Sequence, residues 1–384
     1  MSKLGEIAET GKTLPGLNRR ERVVLGHIAD CHTQRMGGNI LVCDCGHKET
    51  HYNSCRDRHC PLCQGASRAR WVAKRLEELL PVPYFHVVFT VPHELLPLAR
   101  ANHQLFYKAL FQSAHKTLLD VCLNPENLGG RVGGMSVLHT WTQKLLYHPH
   151  VHCILPGGGL SSDKSHWIEG NPKYLVPVKK LSAVFRGKLL SSLRKYCDKG
   201  AVFGDRVLYQ KNLLSASRKN FLVYAKRPFG NPAQVVKYLG RYTHRVGISE
   251  QRIVAADGSR VSFSWIDRTS GHKRKRIVLT LEEFTRRFLL HLLPKGMRKI
   301  RYFGYMSNRN RRESLRQVRQ FLLKLPDEFH NSEEIRESES ESYKEVLDFE
   351  KKVCCKCGKE MITMGLYGNR RNIHGPEPNS RGVC

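Results

Sequence analysis

The feature that most constrains this chain is a run of histidines at alternate positions, Tyr147-His148-Pro149-His150-Val151-His152-Cys153-Ile154-Leu155. Alternate side chains of a β-strand lie on one face. We therefore predict a strand in which His150 and His152 project together while Val151 and Cys153 face the core. The Cα atoms of the two histidines would lie about 6 to 7 Å apart, close enough for both imidazoles to reach one metal ion. A half-buried strand with hydrogen-bonded imidazoles is the alternative.

A second pattern lies about ninety residues further along the chain. Gln234, Tyr238 and Tyr242 are spaced at i, i+4 and i+8. On a helix this spacing places all three side chains on one face, with the two hydroxyls about 6 Å apart along the axis. The pattern predicts a helix that presents two phenols side by side.

The charge balance indicates a polyanionic partner. The chain has 384 residues and a formal net charge of +30. Such an excess is typical of proteins that bind nucleic acid, and anionic membrane is the competing partner. The sequence contains no apolar run of about 18 residues and no signal-peptide pattern, so we expect no membrane segment and a cytoplasmic protein.

The 13 cysteines are concentrated near the two ends of the chain. Without a secretory signal, closely spaced cysteines favour zinc over disulfides, and reduced buried thiols are the alternative. We predict a four-thiolate zinc site at Cys43, Cys45, Cys60 and Cys63. Three further ligands could replace Cys43 or build a second zinc site: Cys31, Cys55 and His59.

Basic residues surround this cysteine cluster. Arg56 and Arg58 suit a surface that lies on phosphates, although a solvated charged face is the alternative. Near the other end, ten acidic and two basic residues between Asp327 and Glu350 predict a flexible acidic linker, with a short regulatory helix that mimics DNA as the alternative. The tail beyond it contains a possible second zinc knuckle or free thiols: Cys354, Cys355, Cys357, His374 and Cys384.

Three motifs together resemble one family. They are His148-Pro149-His150-Val151-His152 with Pro156-Gly157-Gly158-Gly159, Tyr238-Leu239-Gly240-Arg241-Tyr242-Thr243-His244-Arg245-Val246, and Asn53-Ser54-Cys55-Arg56-Asp57-Arg58-His59-Cys60-Pro61. The set resembles the bacterial rolling-circle insertion-sequence transposases of the HUH endonuclease superfamily, two-tyrosine class. The resemblance covers most of residues 20–325. The Cys43-Asp44-Cys45 spacing is one residue shorter than the family's pattern.

The resemblance implies a transposase that nicks and joins single-stranded DNA through 5′-phosphotyrosine intermediates, without ATP. Tyr238 and Tyr242 would be the nucleophiles. His150 and His152 would bind Mg²⁺ or Mn²⁺, with Gln234 as third ligand and His148 or Gln143 as its rivals. Three basic residues beside the tyrosines would neutralise phosphate charge or form a solvated helix face: Lys237, Arg241 and Arg245.

The expected fold is α+β, with the histidine strand central in an antiparallel sheet and the tyrosine helix packed across its face. We divide the chain into a zinc-binding and DNA-binding domain (1–80), a nuclease domain (81–325), an acidic linker (326–352) and a Cys-rich tail (353–384). The protein would act in the bacterial cytoplasm, associated with the nucleoid. The alternative functions are a non-catalytic, zinc-dependent DNA-binding protein and a tyrosine recombinase.

Overall fold

The structure is a computed structural model that describes residues 2–200, 203, 205–226, 234, 240, 247–267, 270–323 and 352–367. The helices are α1 Lys3–Gly11, α2 Arg19–Asp30, α3 Gly65–Leu76, α4 Leu96–Ala101, α5 His103–Leu123, α6 Val178–Asp198, α7 Arg206–Ser217, α8 Leu281–Leu289 and α9 Arg311–Leu322. The strands are β1 Gly38–Val42, β2 Lys48–Tyr52, β3 Tyr84–Thr90, β4 Gly133–Trp141, β5 Tyr147–Pro156, β6 Gly158–Leu160, β7 Trp167–Glu169, β8 Val223–Lys226, β9 Ile253–Ala256, β10 Arg260–Asp267, β11 Lys273–Thr280, β12 Ile300–Gly304 and β13 Ile362–Tyr367.

A five-stranded antiparallel sheet in the order β12-β4-β5-β3-β8 forms the centre of the protein. The histidine strand β5 occupies its middle position, so the predicted α+β class and the central place of this strand are confirmed. The sequence patterns also predict strands over Tyr84 to Val91 and Met135 to Thr140. These strands form as its neighbours β3 and β4.

The two faces of this sheet have different partners. Val151, Cys153 and Leu155 point from β5 into the largest apolar core, which α5, α6 and α7 complete. The opposite face carries His150 and His152, and further along it Ile154 packs under α3. The alternation predicted for β5 is therefore present, and it separates an apolar face from a histidine face.

The long apolar segment after His93 forms two helices where its periodicity predicts one. Asn102 ends α4, and its side-chain Oδ1 accepts a hydrogen bond from Leu105 N at the start of α5, 3.1 Å away. An asparagine that caps the following helix explains the break, because its side chain replaces a missing intrahelical partner.

A second core combines the N-terminal helices with a later part of the chain. Residues from α1 and α2 share one apolar cluster with residues from β9, β10 and α8. Asp257-Gly258 is a turn dipeptide that predicts a hairpin over Arg252 to Trp265. This hairpin forms β9 and β10, and Gly258 has a φ of +83°, as its turn position favours. The N-terminal segment is thus built into a core that residues 253–289 complete.

The C-terminal strand β13 pairs with β1 near the N-terminus. Together with β2 they form a three-stranded antiparallel sheet in the order β13-β1-β2. Among the described residues, no helix is both long enough and apolar enough to cross a membrane.

Candidate active site on the histidine strand

Three imidazoles converge on the face of the sheet opposite the main core. They belong to His139 on β4 and to His150 and His152 on β5, and their candidate ligand atoms all lie within 4.8 Å of one another. His139 is directly opposite His150 in the strand pairing, which brings the two side chains together. The ring centroids of His139 and His152 are 4.2 Å apart.

Hydrogen bonds orient two of these rings. The Nδ1–H of His150 donates to the carbonyl oxygen of His148 at 2.7 Å, which makes Nε2 the nitrogen with the lone pair. The Nδ1 of His152 is 2.8 Å from Nε2 of His86, a buried residue on β3. Partners on the distal ring nitrogen are what fix metal-binding histidines in place.

Burial also favours the neutral form of the histidines on β5 for which a pKa shift is resolved. It lowers the pKa of His150 to about 4, and it lowers the pKa of His148 as well. His150 is therefore neutral near pH 7, which is the form that binds a metal ion. Three imidazoles on one side of a cation fit a divalent transition metal and leave coordination positions for other ligands.

His139 was not among the predicted ligands. It lies inside the predicted strand Met135 to Thr140, but only the register between β4 and β5 shows that it meets His150. The predicted third ligands have other positions. The side-chain oxygen of Gln143 accepts a hydrogen bond from Ile266 N at 2.7 Å, and His148 contributes its backbone carbonyl while its ring lies outside the group of three. Gln234 is helical and exposed, and its role as a ligand stays a prediction.

The predicted nucleophiles Tyr238 and Tyr242 lie outside the described residues, as do Lys237, Arg241 and Arg245. Gly240, which separates the two tyrosines in sequence, is described: it is helical and buried. A Cβ atom on Gly240 would lie 2.2 Å from Cγ2 of Val72, on α3. Gly240 therefore packs against α3, the helix that lies over Ile154 on the histidine face of the sheet.

The structure divides the predicted zinc ligands between two groups. Cys60 and Cys63 lie with Cys31 and Cys55, and all four sulfur atoms are within 4.8 Å of one another. Cys43 and Cys45 are instead grouped with Cys354 and Cys357, because β13 brings the tail to β1. The four thiols predicted as one site therefore do not come together. Cys31 and Cys55, predicted as surplus ligands, complete the group with Cys60 and Cys63.

His59 has a different role from that of a surplus ligand. Its Nδ1 is 3.1 Å from Oδ1 of Asp57, and its Nε2 accepts a hydrogen bond from Leu293 N at 3.2 Å. Both ring nitrogens are thereby engaged outside the four-sulfur group. His59 connects the cysteine-rich loop to the segment after α8.

A basic pocket of about 430 Å³ lies between this loop and the sheet. Arg58 and Lys299 line it together with Trp141. The Trp141 ring stacks on His139 with centroids 4.9 Å apart, and the Lys299 Nζ is 4.6 Å from the centre of the Trp141 ring. Desolvation, with the nearby Arg58 charge, lowers the pKa of Lys299 to about 7. Arg58, one of the two DNA contacts predicted beside the cysteine cluster, therefore lies close to the histidine group. Arg56, the other, is exposed and has a backbone φ of +54°.

Comparisons with known proteins agree with this arrangement of a cysteine-rich segment and a histidine sheet. A family model described as "Transposase zinc-binding domain" matches residues 6–91, and one described as "Putative transposase" matches residues 133–314. The chain is 41% identical over 364 residues to the "Putative transposase y4qJ" of Sinorhizobium fredii, covering 91% of this chain and 90% of that protein. It is 27% identical over 312 residues to the "Transposase for insertion sequence element IS801" of Pseudomonas savastanoi pv. phaseolicola, covering 77% of this chain and 72% of that protein. No solved structure matches the chain.

The fold and the two family matches define a DNA transposase with a zinc-binding domain. More particularly, the chain belongs to the insertion-sequence transposases of the rolling-circle, HUH class, and the resemblance carried by its three motifs is confirmed.

Proposed function

We propose that this transposase nicks and rejoins single-stranded DNA at a cation site formed by His139, His150 and His152. The observation that carries the proposal is the convergence of three imidazoles, two of them oriented by hydrogen bonds, on one face of the sheet. A bound divalent cation supplies Lewis-acid stabilisation of the charge on the scissile phosphate. Of the two expected cations, the three-nitrogen donor set favours Mn²⁺, because Mg²⁺ prefers oxygen ligands.

In the proposed reaction the hydroxyl oxygen of Tyr238 or Tyr242 attacks the scissile phosphorus. The bond from phosphorus to the 3′ oxygen breaks, the phosphate becomes a 5′-phosphotyrosine, and the 3′ oxygen leaves as a hydroxyl after taking up a proton. The phenol releases its own proton to solvent. One phosphodiester replaces another, so the reverse attack by a 3′-hydroxyl rejoins DNA without ATP.

Two tyrosines permit strand exchange within one site. While one holds the 5′ end of the donor strand, the other can cut the second strand. The packing of Gly240 against α3 supports this arrangement, because α3 also covers the histidine face of the sheet.

The basic pocket beside His139 is proposed to hold the DNA strand next to the scissile phosphate. Arg58 and Lys299 supply positive charge to this pocket, and Lys299 lies over the Trp141 ring. The four thiolates of Cys31, Cys55, Cys60 and Cys63 would bind Zn²⁺ and fix the loop that carries Arg58.

The direct test incubates the protein with Mn²⁺ and a labelled single strand from an end of its element, followed by a denaturing gel. We expect a covalent adduct that disappears in the Tyr238→Phe, Tyr242→Phe double variant. His139→Ala should reduce adduct formation at least about 100-fold and leave DNA affinity nearly unchanged, because phosphate contacts dominate affinity. His148→Ala is the matched control, since its contribution to the group is a backbone carbonyl.

The outcomes separate the alternative functions. Adducts that survive the double tyrosine variant would refute the nucleophile assignment. Failure to form adducts on any single strand would favour the non-catalytic DNA-binding protein. A metal-independent adduct linked through a 3′-phosphate on duplex DNA would indicate a tyrosine recombinase.

A further inference from the structure

A second group of four cysteines joins the two ends of the chain. Cys43 and Cys45 lie in the turn after β1, and Cys354 and Cys357 lie in the turn before β13. The Sγ atoms of Cys43 and Cys357 are 3.3 Å apart, and those of Cys45 and Cys354 are 3.6 Å apart. Residues from opposite ends of the sequence thus contribute two sulfur atoms each.

The arrangement matches the geometry of a tetrahedral metal site. All four sulfur atoms lie within 4.8 Å of one another. With zinc–sulfur bonds of about 2.3 Å, the sulfur atoms of a tetrahedral site are about 3.8 Å apart. A small adjustment of exposed side chains therefore suffices, because Cys45 and Cys357 are on the surface.

The two turns are built alike. Gly46 N donates to the carbonyl oxygen of Cys43 at 2.8 Å, and Gly358 N donates to that of Cys354 at 2.9 Å. Both glycines have positive φ angles, +81° and +74°, which a residue with a Cβ rarely adopts. Each turn presents its pair of thiols toward the other, as the two halves of a structural zinc site do.

The packing around the group is too small to hold the tail by itself. Leu41 and Met361 are the apolar side chains that pack with Cys43 and Cys354, and the last two are only 3% and 2% exposed. Burial of so few side chains cannot offset the conformational entropy lost when residues 352–367 become ordered. Metal binding is the usual source of the missing stability in segments of this size.

We propose that Cys43, Cys45, Cys354 and Cys357 bind a second, structural zinc ion that fastens strand β13 to strand β1. The proposal goes beyond the zinc-binding family match, since Cys354 and Cys357 lie outside both matched ranges, 6–91 and 133–314. The site closes a loop of 309 residues between Cys45 and Cys354. It also makes the C-terminal segment part of the zinc-binding domain, and it is independent of the proposed cleavage chemistry.

Zinc content of the purified full-length protein tests the proposal. Under reducing conditions we expect two zinc ions per chain in the unmodified protein and one in the Cys354→Ser, Cys357→Ser double variant. Cys355→Ser is the matched control: Cys355 is exposed between them, with its Sγ 3.4 Å from Nε2 of His47, and it should retain two. Cys43→Ser, at the other end of the chain, should lose the same ion as the tail variant.

Hydrogen exchange provides a readout that does not depend on counting metal. In the tail double variant the amides of residues 362–367 should exchange at least about tenfold faster, while those of β5 stay unchanged. One zinc per chain in the unmodified protein would overturn the proposal. So would a tail double variant that keeps two ions, or one that loses an ion without faster exchange in β13.

Discussion

Adding one methyl group at Gly240 should displace this glycine from its contact with α3. In the Gly240→Ala variant, the new Cβ would lie 2.2 Å from Cγ2 of Val72. Ordinary carbon–carbon contacts are about 3.5 to 4.0 Å, so one of the two backbones must move by more than about 1 Å. Val72 cannot easily turn away, because a β-branched side chain on a helix strongly prefers one rotamer.

Two opposing terms set the effect on stability. Overpacking costs about 1 to 3 kcal/mol. Alanine is favoured over glycine in a helix by about 1 kcal/mol. We expect Gly240→Ala to destabilise the unmodified background by about 0 to 2 kcal/mol. In a Val72→Ala background the clash is absent, so the same substitution should stabilise by about 1 kcal/mol.

Adduct formation should respond more strongly than stability. A displacement of about 1 Å in a reacting group can cost about 100-fold in rate. We therefore expect Gly240→Ala to slow formation of the tyrosine adduct by that order, and the added Val72→Ala substitution to restore most of the rate.

Denaturant unfolding and adduct kinetics on the four members of this double-mutant cycle measure the coupling. Gly187→Ala is the control, because this helical glycine in α6 has nothing within 4 Å of its Cβ position. It should raise stability slightly without changing the adduct rate. Strict additivity of Val72→Ala and Gly240→Ala, in both stability and rate, would refute the contact on which the prediction rests.

Three further predictions follow from the site. His86→Phe removes the hydrogen bond to His152 and should weaken Mn²⁺ binding, measured by calorimetry, about 10- to 100-fold. Unchanged affinity for Mn²⁺ would contradict the role of His86 in orienting His152. Lys299, whose pKa is about 7, is charged below that pH and loses its proton as the pH rises, so the affinity for single-stranded DNA should fall about tenfold from pH 6 to pH 8. The Lys299→Arg variant stays charged and should lose this pH dependence. An equal slope of affinity against pH in both proteins would contradict the role of Lys299. Zinc chelation should expose residues 31–63 to trypsin and also weaken Mn²⁺ binding. An unchanged digestion pattern after zinc removal would contradict the proposed role of zinc in ordering these residues.

Local patterns in the sequence predict the parts of this fold that depend on neighbouring residues. The alternation around His150 predicts a two-faced strand, and the Asp257-Gly258 dipeptide predicts a hairpin, because each depends on a few consecutive residues. Which strand lies beside another depends on turns and distant packing. The place of His139 in the group of three histidines follows from the register of β4 against β5 and has no local signal.

The cysteines illustrate the same limit. The short spacing between Cys60 and Cys63 identifies a zinc knuckle, but spacing does not show which distant pair completes it. Cys31, at the end of α2, and Cys55 supply the remaining thiols of that group, whereas Cys43 and Cys45 meet the tail. The difference arises because β13 pairs with β1, a contact between residues more than 300 positions apart.

The turn between the two ligand strands connects the zinc-binding region to the histidine group. Leu145 in this turn is fully buried, and it packs in the same cluster as Ile28 and Cys60 rather than in the main core. The turn, together with the irregularity in the strand pairing between His139 and Trp141, sets the register that places His139 opposite His150. Loss of the zinc-bound loop would remove Cys60 from the apolar cluster that holds Leu145, and we expect this to loosen the register. The zinc-binding region therefore helps to position the imidazoles, which is why zinc removal is expected to weaken cation binding at a site to which it contributes no ligand.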